Sequence, residues 1–558
     1  MAYFLKKTKL KNRTYLAIYE SFYDPKRKET AHRCYKSLQS VETHIANGIA
    51  DPIAHFQKEV DALNSEKKSD NIRKISDKSP VHYLGYFPLK CLMNKMQIKK
   101  YVDYFKLTNE FEYDLFELLS SLVYARSVKP CSKFRTFHEV LPYLYHEYNF
   151  SYDQLLAGLG FIGRNYRKFV EIFNVQTNDV FGLDTNNTYF DCTNFYFEID
   201  REDDFRRKGP SKENKKEPIV GLGLLLDKNQ IPIGMKMYPG NESEMPIMRN
   251  VIDELKRTNN IKGRTIHVAD KGLNCAQNIA FSKKKGDGYL FSKSVKGLPQ
   301  KEKEWVLLDS GFTDVKDTKG NIKYRYKSCV DTFPYTFEHE GKNVTVEITE
   351  KRLLTYNPKL AAKKKYEINK LVEKARSLAM SQAKKAQFGE SGKYVNFTDK
   401  DGKKAIVGIN EEAIEKDLKF AGYNLLVTSE TKMKDEAIYQ TYHNLWRIEE
   451  SFKIMKSDLD ARPVFARTTD TIKGHFLICY ITVLLERIFQ FKILENKYSS
   501  SDIFSFIKGF KVTKAERKHI NTTTESELIN DLSDRLDLPL NHYYLSDRQI
   551  KSILDYAL

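Results

Sequence analysis

The spacing of apolar positions changes several times along the chain, and each change predicts a boundary. Two runs of β-branched and aromatic residues, 14–19 and 32–37, flank the turn-like Asp24-Pro25-Lys26-Arg27-Lys28 and predict a hairpin or three-stranded sheet within residues 1–63. Polar residues 64–80 (NSEKKSDNIRKISDKSP) read as a linker. From Leu89 to Asn174 the period is helical, as in Leu115, Leu118, Leu119 and Leu122, so 81–180 is expected to be a helical domain and is assigned to DNA binding. Inside it, DQLLAGLGFIGRNYRKFVEIF predicts two short helices around a glycine-containing turn, with Arg164, Tyr166, Arg167 and Lys168 early in the second. Such a pair is either a helix-turn-helix reader of the major groove or an ordinary helical hairpin with a solvated basic face.

At residue 186 the period becomes two. Residues 188–199 (TYFDCTNFYFEI) read as a strand, and strands at 219–226 and 231–238 follow a charged loop. Next come a helix with Ile247, Val251 and Leu255 on one stripe and a strand at 265–269. The order β-β-β-α-β is the opening of an RNase H-like fold, placed here at 181–295. Residues 296–430 turn polar and irregular with short strand-like pieces, too long for a loop, and predict a β-rich insertion. The helical period returns at 431–495, the second half of the core, and 496–558 is expected to be a helical tail. The fold class is α/β.

Composition narrows the chemistry. Lys plus Arg number 92 against 74 Asp plus Glu, a net charge of +18 that suits a polyanionic partner, and 30 % charged residues of both signs mean that no simple basic tail explains it. A 41 % apolar share excludes disorder over the whole chain. The seven cysteines are scattered with no Cys-x-x-Cys pair, which speaks against structural zinc and a disulfide framework. The longest apolar run, 476–485, falls short of the ~20 residues of a membrane span, and the basic N-terminus has no apolar run behind it. The expectation is a reduced, soluble, intracellular protein with no membrane partner.

Three acids stand at informative positions. Asp191 interrupts an apolar and aromatic strand, where a lone carboxylate is costly unless paired or bound to a cation. Asp270 follows a strand at its carboxyl end, where α/β sheets place ligands. Glu449 lies on a helix predicted to run through 437–456. At about 100° per residue Leu445, Ile448, Phe452 and Met455 form its apolar stripe, Glu449 borders that stripe, and Tyr442 and Lys456 lie two turns to either side. An acid flanked by a phenol and an ammonium suits a phosphodiester. Three converging carboxylates are able to hold two Mg²⁺ ions about 4 Å apart. For any one acid taken alone, a solvated surface charge is the competing reading, and His267 is expected to be packed rather than ligating.

Tyr442 to Lys456, YHNLWRIEESFKIMK, resembles the Tyr-x2-Arg-x3-Glu-x6-Lys signature of bacterial DDE insertion-sequence transposases that carry a β-rich insertion between the second Asp and the Glu. Asp191 in DCTNFYF and Asp270 in HVADKGLN are similar to that family's first and second acids, and the resemblance covers about residues 186–480. Leu445 replaces the signature Arg, a position expected to hold DNA phosphate, and leaves Arg447 or Lys453 to substitute. The resemblance implies Asp191, Asp270 and Glu449 as catalytic and metal-binding residues for Mg²⁺ or Mn²⁺, two ions per site. It implies phosphate contacts for Tyr442 and Lys456, which match the signature; Arg447, Lys453 and Trp446 complete the expected DNA-binding set, the first two as substitutes for the missing Arg, while Trp446 either stacks on an unpaired base or packs in the core. The implied partners are terminal inverted repeats and target DNA, engaged by a homodimer in the bacterial cytoplasm, at the nucleoid. A structure-selective nuclease of the same fold, or an inactive domesticated DNA-binding copy, are the alternatives.

Overall fold

The computed structural model describes residues 2–558 apart from 25–28, 71–80, 213–215, 259–260, 262, 381–384, 401–402 and 516–517. It divides into two compact units, Met1–Ser79 and Pro80–Leu558. In the first, β1 (Tyr3–Leu10), β2 (Arg13–Asp24) and β3 (Glu29–Ser40) form an antiparallel sheet, followed by helices Val41–Ala46 and Pro52–Asp70. The expected linker is therefore shorter than its polar composition suggested: residues 64–70 continue a helix, and 71–80 lie outside the described residues.

The second unit opens on β4 (Val81–Tyr83) and a set of helices. Its centre is a sheet of β5 (Asn187–Tyr196), β6 (Ile219–Leu226), β7 (Pro232–Pro239), β8 (Ile266–Ala269) and β9 (Gly288–Lys293), with helix Glu244–Arg257 between β7 and β8. β5, β6 and β7 form an antiparallel meander, while β5, β8 and β9 run parallel. The insertion does not stand apart from this core. Its strands β10 (Thr313–Lys316), β11 (Ile322–His339), β12 (Lys342–Tyr356) and β15 (Tyr423–Thr428) extend the same sheet, in the order β10-β11-β12-β15-β9-β8-β5-β6-β7 among the described residues. The hairpin β13 (Val395–Lys400) and β14 (Lys403–Ile409) leaves it, packing with helices Pro358–Met380 and Glu411–Lys419 around a small core of their own. The product is a mixed α/β architecture built on one large mixed sheet.

Alternation along the strands buries both faces. Phe190, Cys192, Leu225 and Ala269 pack under Ile247, Val251 and Leu255 of the Glu244–Arg257 helix. Tyr189, Phe195, Leu224 and Val268 face the other way, into the core shared with Ile448, Phe452 and the buried helix Thr469–Ile488. By the same alternation Asp191 and Asp270 belong to this second face.

The segment read as a possible helix-turn-helix forms helices Tyr152–Arg164 and Tyr166–Phe181, separated by the single residue Asn165 rather than by a glycine turn of three or four residues. Its glycines lie inside the first helix and serve packing. A methyl group on Gly163 would overlap the backbone carbonyl of Asp470, and one on Gly474 would overlap that of Leu159, so the two helices cross backbone to backbone. Gly163→Ala should lower the denaturant midpoint by the equivalent of about 2–3 kcal/mol, even though alanine is the better helix former. An unchanged midpoint would show that the crossing is loose.

The C-terminal region is not purely helical. β16 (Lys511–Ala515), β17 (Lys518–Asn521) and β18 (Tyr544–Leu545) alternate with helices Ser500–Gly509, Glu527–Leu536 and Asp547–Leu554, and form a sheet with β4 in the order β18-β17-β16-β4. Its edge partner lies at the other end of the unit, so local pattern alone does not show it. All seven cysteines are free thiols, and no helix among the described residues is long and apolar enough to cross a membrane.

Candidate active site

The parallel pairing of β5 and β8 aligns Phe190 with Ala269. The next residue on each strand is an aspartate, so Asp191 and Asp270 stand side by side on strands about 4.8 Å apart. The strand's alternation aims Asp191 out of the sheet toward the helical layer, and Asp270 sits where β8 ends. Burial, together with the charges of Glu244 and Asp270, pushes the Asp191 carboxyl up to about 6 against the pull of the Lys212 ammonium. Its Oδ1 accepts the backbone N–H of Cys192 at 2.8 Å and lies 3.7 Å from Lys212 Nζ. Two neighbouring carboxylates in a half-buried site carry more negative charge than one lysine cancels, which is the electrostatic condition for a divalent cation.

Helix Asp435–His443 delivers Tyr442, whose hydroxyl donates to Asp270 Oδ1 at 3.1 Å. Burial and then the Asp270 charge hold that hydroxyl well above the usual tyrosine range, so it remains a donor. One oxygen of Asp270 is thereby fixed by a neutral group.

The signature segment is not the single helix its period predicts. The first helix ends at His443 and a second runs Trp446–Lys453, with a wider turn over Ile454–Asp458. At the junction the N–H groups of Leu445, Arg447 and Ile448 bond to Tyr442, Asn444 and Leu445, three residues back instead of four. This tighter winding turns the second helix relative to the first. The apolar stripe survives: Leu445, Ile448, Phe452 and Met455 are all buried, so Leu445 is core.

Glu449 is exposed, and its carboxylate has no hydrogen bond or ion pair among the described residues. Its helix packs on β5, over the face that carries Asp191. The structure thus joins Asp191, Asp270 and Tyr442 directly and leaves Glu449 at the rim; no group of three acids, histidines or cysteines among the described residues is close enough to hold one ion. The donors that are joined are all oxygen, the set preferred by hard cations.

Trp446 is 54 % exposed and so is not core. The Arg447 guanidinium lies 5.7 Å from its ring and 5.4 Å from that of Phe491. Lys453 is exposed at the end of the second helix. Lys456 Nζ lies 5.4 Å from the ring of Phe195, four residues beyond Asp191 on β5 and on the same face. His267 is fully buried between Thr188 Oγ1 at 2.9 Å and Asp287 Oδ2 at 3.1 Å, and burial holds it neutral; it is a packed residue.

Two residues at the site were not singled out from the sequence. Glu244 is the first residue of helix Glu244–Arg257, and Lys212 lies in the charged loop between β5 and β6, of which 213–215 lie outside the described residues. Neither carries a local signal, since both reach Asp191 only through the fold.

Residues 190–485, just over half of the chain, match the family described as Transposase DDE domain. No curated protein matches the sequence.

Proposed function

This chain belongs to the transposase DDE domain family, and from that premise we propose that it is the recombinase of an insertion sequence, cutting and joining DNA at the element's terminal inverted repeats. The observation that carries the reading is the pair Asp191 and Asp270, adjacent on parallel strands and met by Tyr442 of the signature. We read β5 to β9 with helix Glu244–Arg257 as an RNase H-like core, and Asp191, Asp270 and Glu449 as its catalytic acids.

These acids would hold two Mg²⁺ or Mn²⁺ ions, which when bound neutralise phosphate oxygens and activate the attacking oxygen. The protein's own residues do the positioning. Asp191 presents a carboxylate from a rigid strand, Tyr442 orients Asp270, and Glu449, exposed at the rim, is drawn over β5 when substrate arrives. Arg447, Lys453 and Lys456 contact backbone phosphates, and the exposed Trp446 offers a face for an unpaired base. Water then attacks the phosphodiester at each end, and the 3′-hydroxyl so freed attacks target DNA in a second in-line displacement. Catalysis of this kind rests on positioning and charge neutralisation. A homodimer pairing the two ends, in the bacterial cytoplasm at the nucleoid, completes the proposal.

Purified protein with Mg²⁺ or Mn²⁺ and DNA carrying its own element's ends should nick those ends and join them to a target plasmid. Cleavage without joining would point instead to a structure-selective nuclease, and no cleavage at all to an inactive copy.

A further inference from the structure

Asn194 ties the far part of the loop between β5 and β6 to the sheet. Asn194, buried on β5, donates through Nδ2 to the Pro210 carbonyl at 3.2 Å and accepts the Lys212 backbone N–H on Oδ1 at 3.4 Å. That anchor carries the Lys212 side chain inward along the strand. Its ammonium donates to the Cys192 carbonyl and lies 3.7 Å from Asp191 Oδ1 and 3.6 Å from Glu244 Oε1. A surface lysine pairs with whatever acid its flexible stem meets; this one is fixed at its backbone and directed at the first acid of the site.

We propose that Lys212 is a tethered counter-cation that couples metal loading of the acidic site to the arrival of a DNA phosphate. The inference rests on the reading of Asp191 as a metal ligand. An ion on Asp191 would sit about 2.1 Å from its oxygen. The ammonium is 3.7 Å from Oδ1, so an ion on that oxygen would lie no more than about 6 Å from it, and the two cations would repel strongly in a half-buried site. Metal entry must therefore displace Lys212 from Asp191. Without DNA, Glu244 is the anion left to it; with DNA, a phosphate oxygen takes that place, and the displaced ammonium gains a partner. Lys212 then weakens metal binding by the free protein and strengthens it on DNA, and by reciprocity metal strengthens DNA binding by the same factor.

The test is Mn²⁺ binding followed by the electron paramagnetic resonance of the free ion, on full-length wild type, Lys212→Gln and Lys212→Arg, with and without a duplex oligonucleotide. Without DNA, Lys212→Gln should bind Mn²⁺ on the order of tenfold more tightly than wild type. Adding DNA should tighten binding in wild type and Lys212→Arg and change it little in Lys212→Gln. Asp191→Asn, run in parallel, should lose the Mn²⁺ site. If Asp191→Asn loses the site while Lys212→Gln matches wild type in both states, this inference fails and the metal-site reading stands. If Asp191→Asn binds Mn²⁺ like wild type, both fail.

Discussion

Asp191→Asn and Asp270→Asn should each slow DNA cleavage by roughly three orders of magnitude, the equivalent of about 4 kcal/mol of lost charge stabilisation, without unfolding the protein. Stability separates the roles. In the fold the Asp191 carboxyl titrates at about 6 rather than at 3.8 because it is buried, so between those pH values the folded state binds more protons than the unfolded state. Stability contributed by the neutral carboxyl is complete below 3.8 and is lost as pH rises through 6. Asp191→Asn removes that loss, less whatever the Lys212 pairing returned, and should make the protein more stable above pH 6 by up to about 2 kcal/mol, with no difference near pH 4. Glu449→Gln should abolish cleavage with stability unchanged to within about 0.5 kcal/mol, because the side chain is exposed and has no partner among the described residues. Nicking assays and denaturant titrations at pH 4 and 7.5 read both quantities. Cleavage at wild-type rate in all three variants would overturn the site.

The placement of Asp191 and Asp270 on their strands was legible because each sits in a strong local pattern. Asp191 breaks a run of aromatic and β-branched residues, Asp270 ends a short β-run, and the buried set Leu445, Ile448, Phe452 and Met455 follows directly from helical spacing. Contacts between distant segments were not legible. Nothing between Tyr442 and Glu449 breaks a helix, since the segment contains neither proline nor glycine, and the tightened winding at Asn444 accompanies two long-range demands: Tyr442 reaching Asp270 and Leu445 reaching the core. The glycines of GLGFIG suggested a turn because glycine is read locally, whereas Gly163 answers to Asp470 and Gly474 far along the chain. The insertion looked like a separate β domain for the same reason. Strand periodicity reports which residues alternate, not which edge they join, and β15 joins β9 of the core.

Removing the Arg487 guanidinium should destabilise the fold strongly. Arg487 is fully buried near the end of helix Thr469–Ile488. Its Nη1 donates to Gln490 Oε1 at 2.6 Å and Ser500 Oγ at 3.1 Å, and Nη2 lies 3.0 Å from Glu450 Oε2. Arg487→Ala leaves Glu450 facing a void and should cost about 3 kcal/mol, the lower end for a broken buried pair because Glu450 keeps some access to water. The neighbouring Glu486 is also fully buried, with no hydrogen-bond partner for either carboxylate oxygen among the described residues. Burial pushes its carboxyl up to about 7 from 4.5, against the pull of Arg487. The folded state therefore holds a proton there that the unfolded chain releases, and stability present below 4.5 is lost as pH rises through 7. Glu486→Gln should consequently gain up to about 3 kcal/mol over wild type at pH 8 and nothing at pH 4. Because Glu450 adjoins Glu449, the Arg487→Ala variant should also cleave DNA more slowly under conditions where it remains folded, whereas Glu486→Gln should not. Denaturant titrations from pH 4 to 8 decide the matter: parallel curves for wild type and Glu486→Gln would mean that Glu486 titrates in the fold as it does in the unfolded chain, with Arg487 shared between two carboxylates instead of reserved for Glu450.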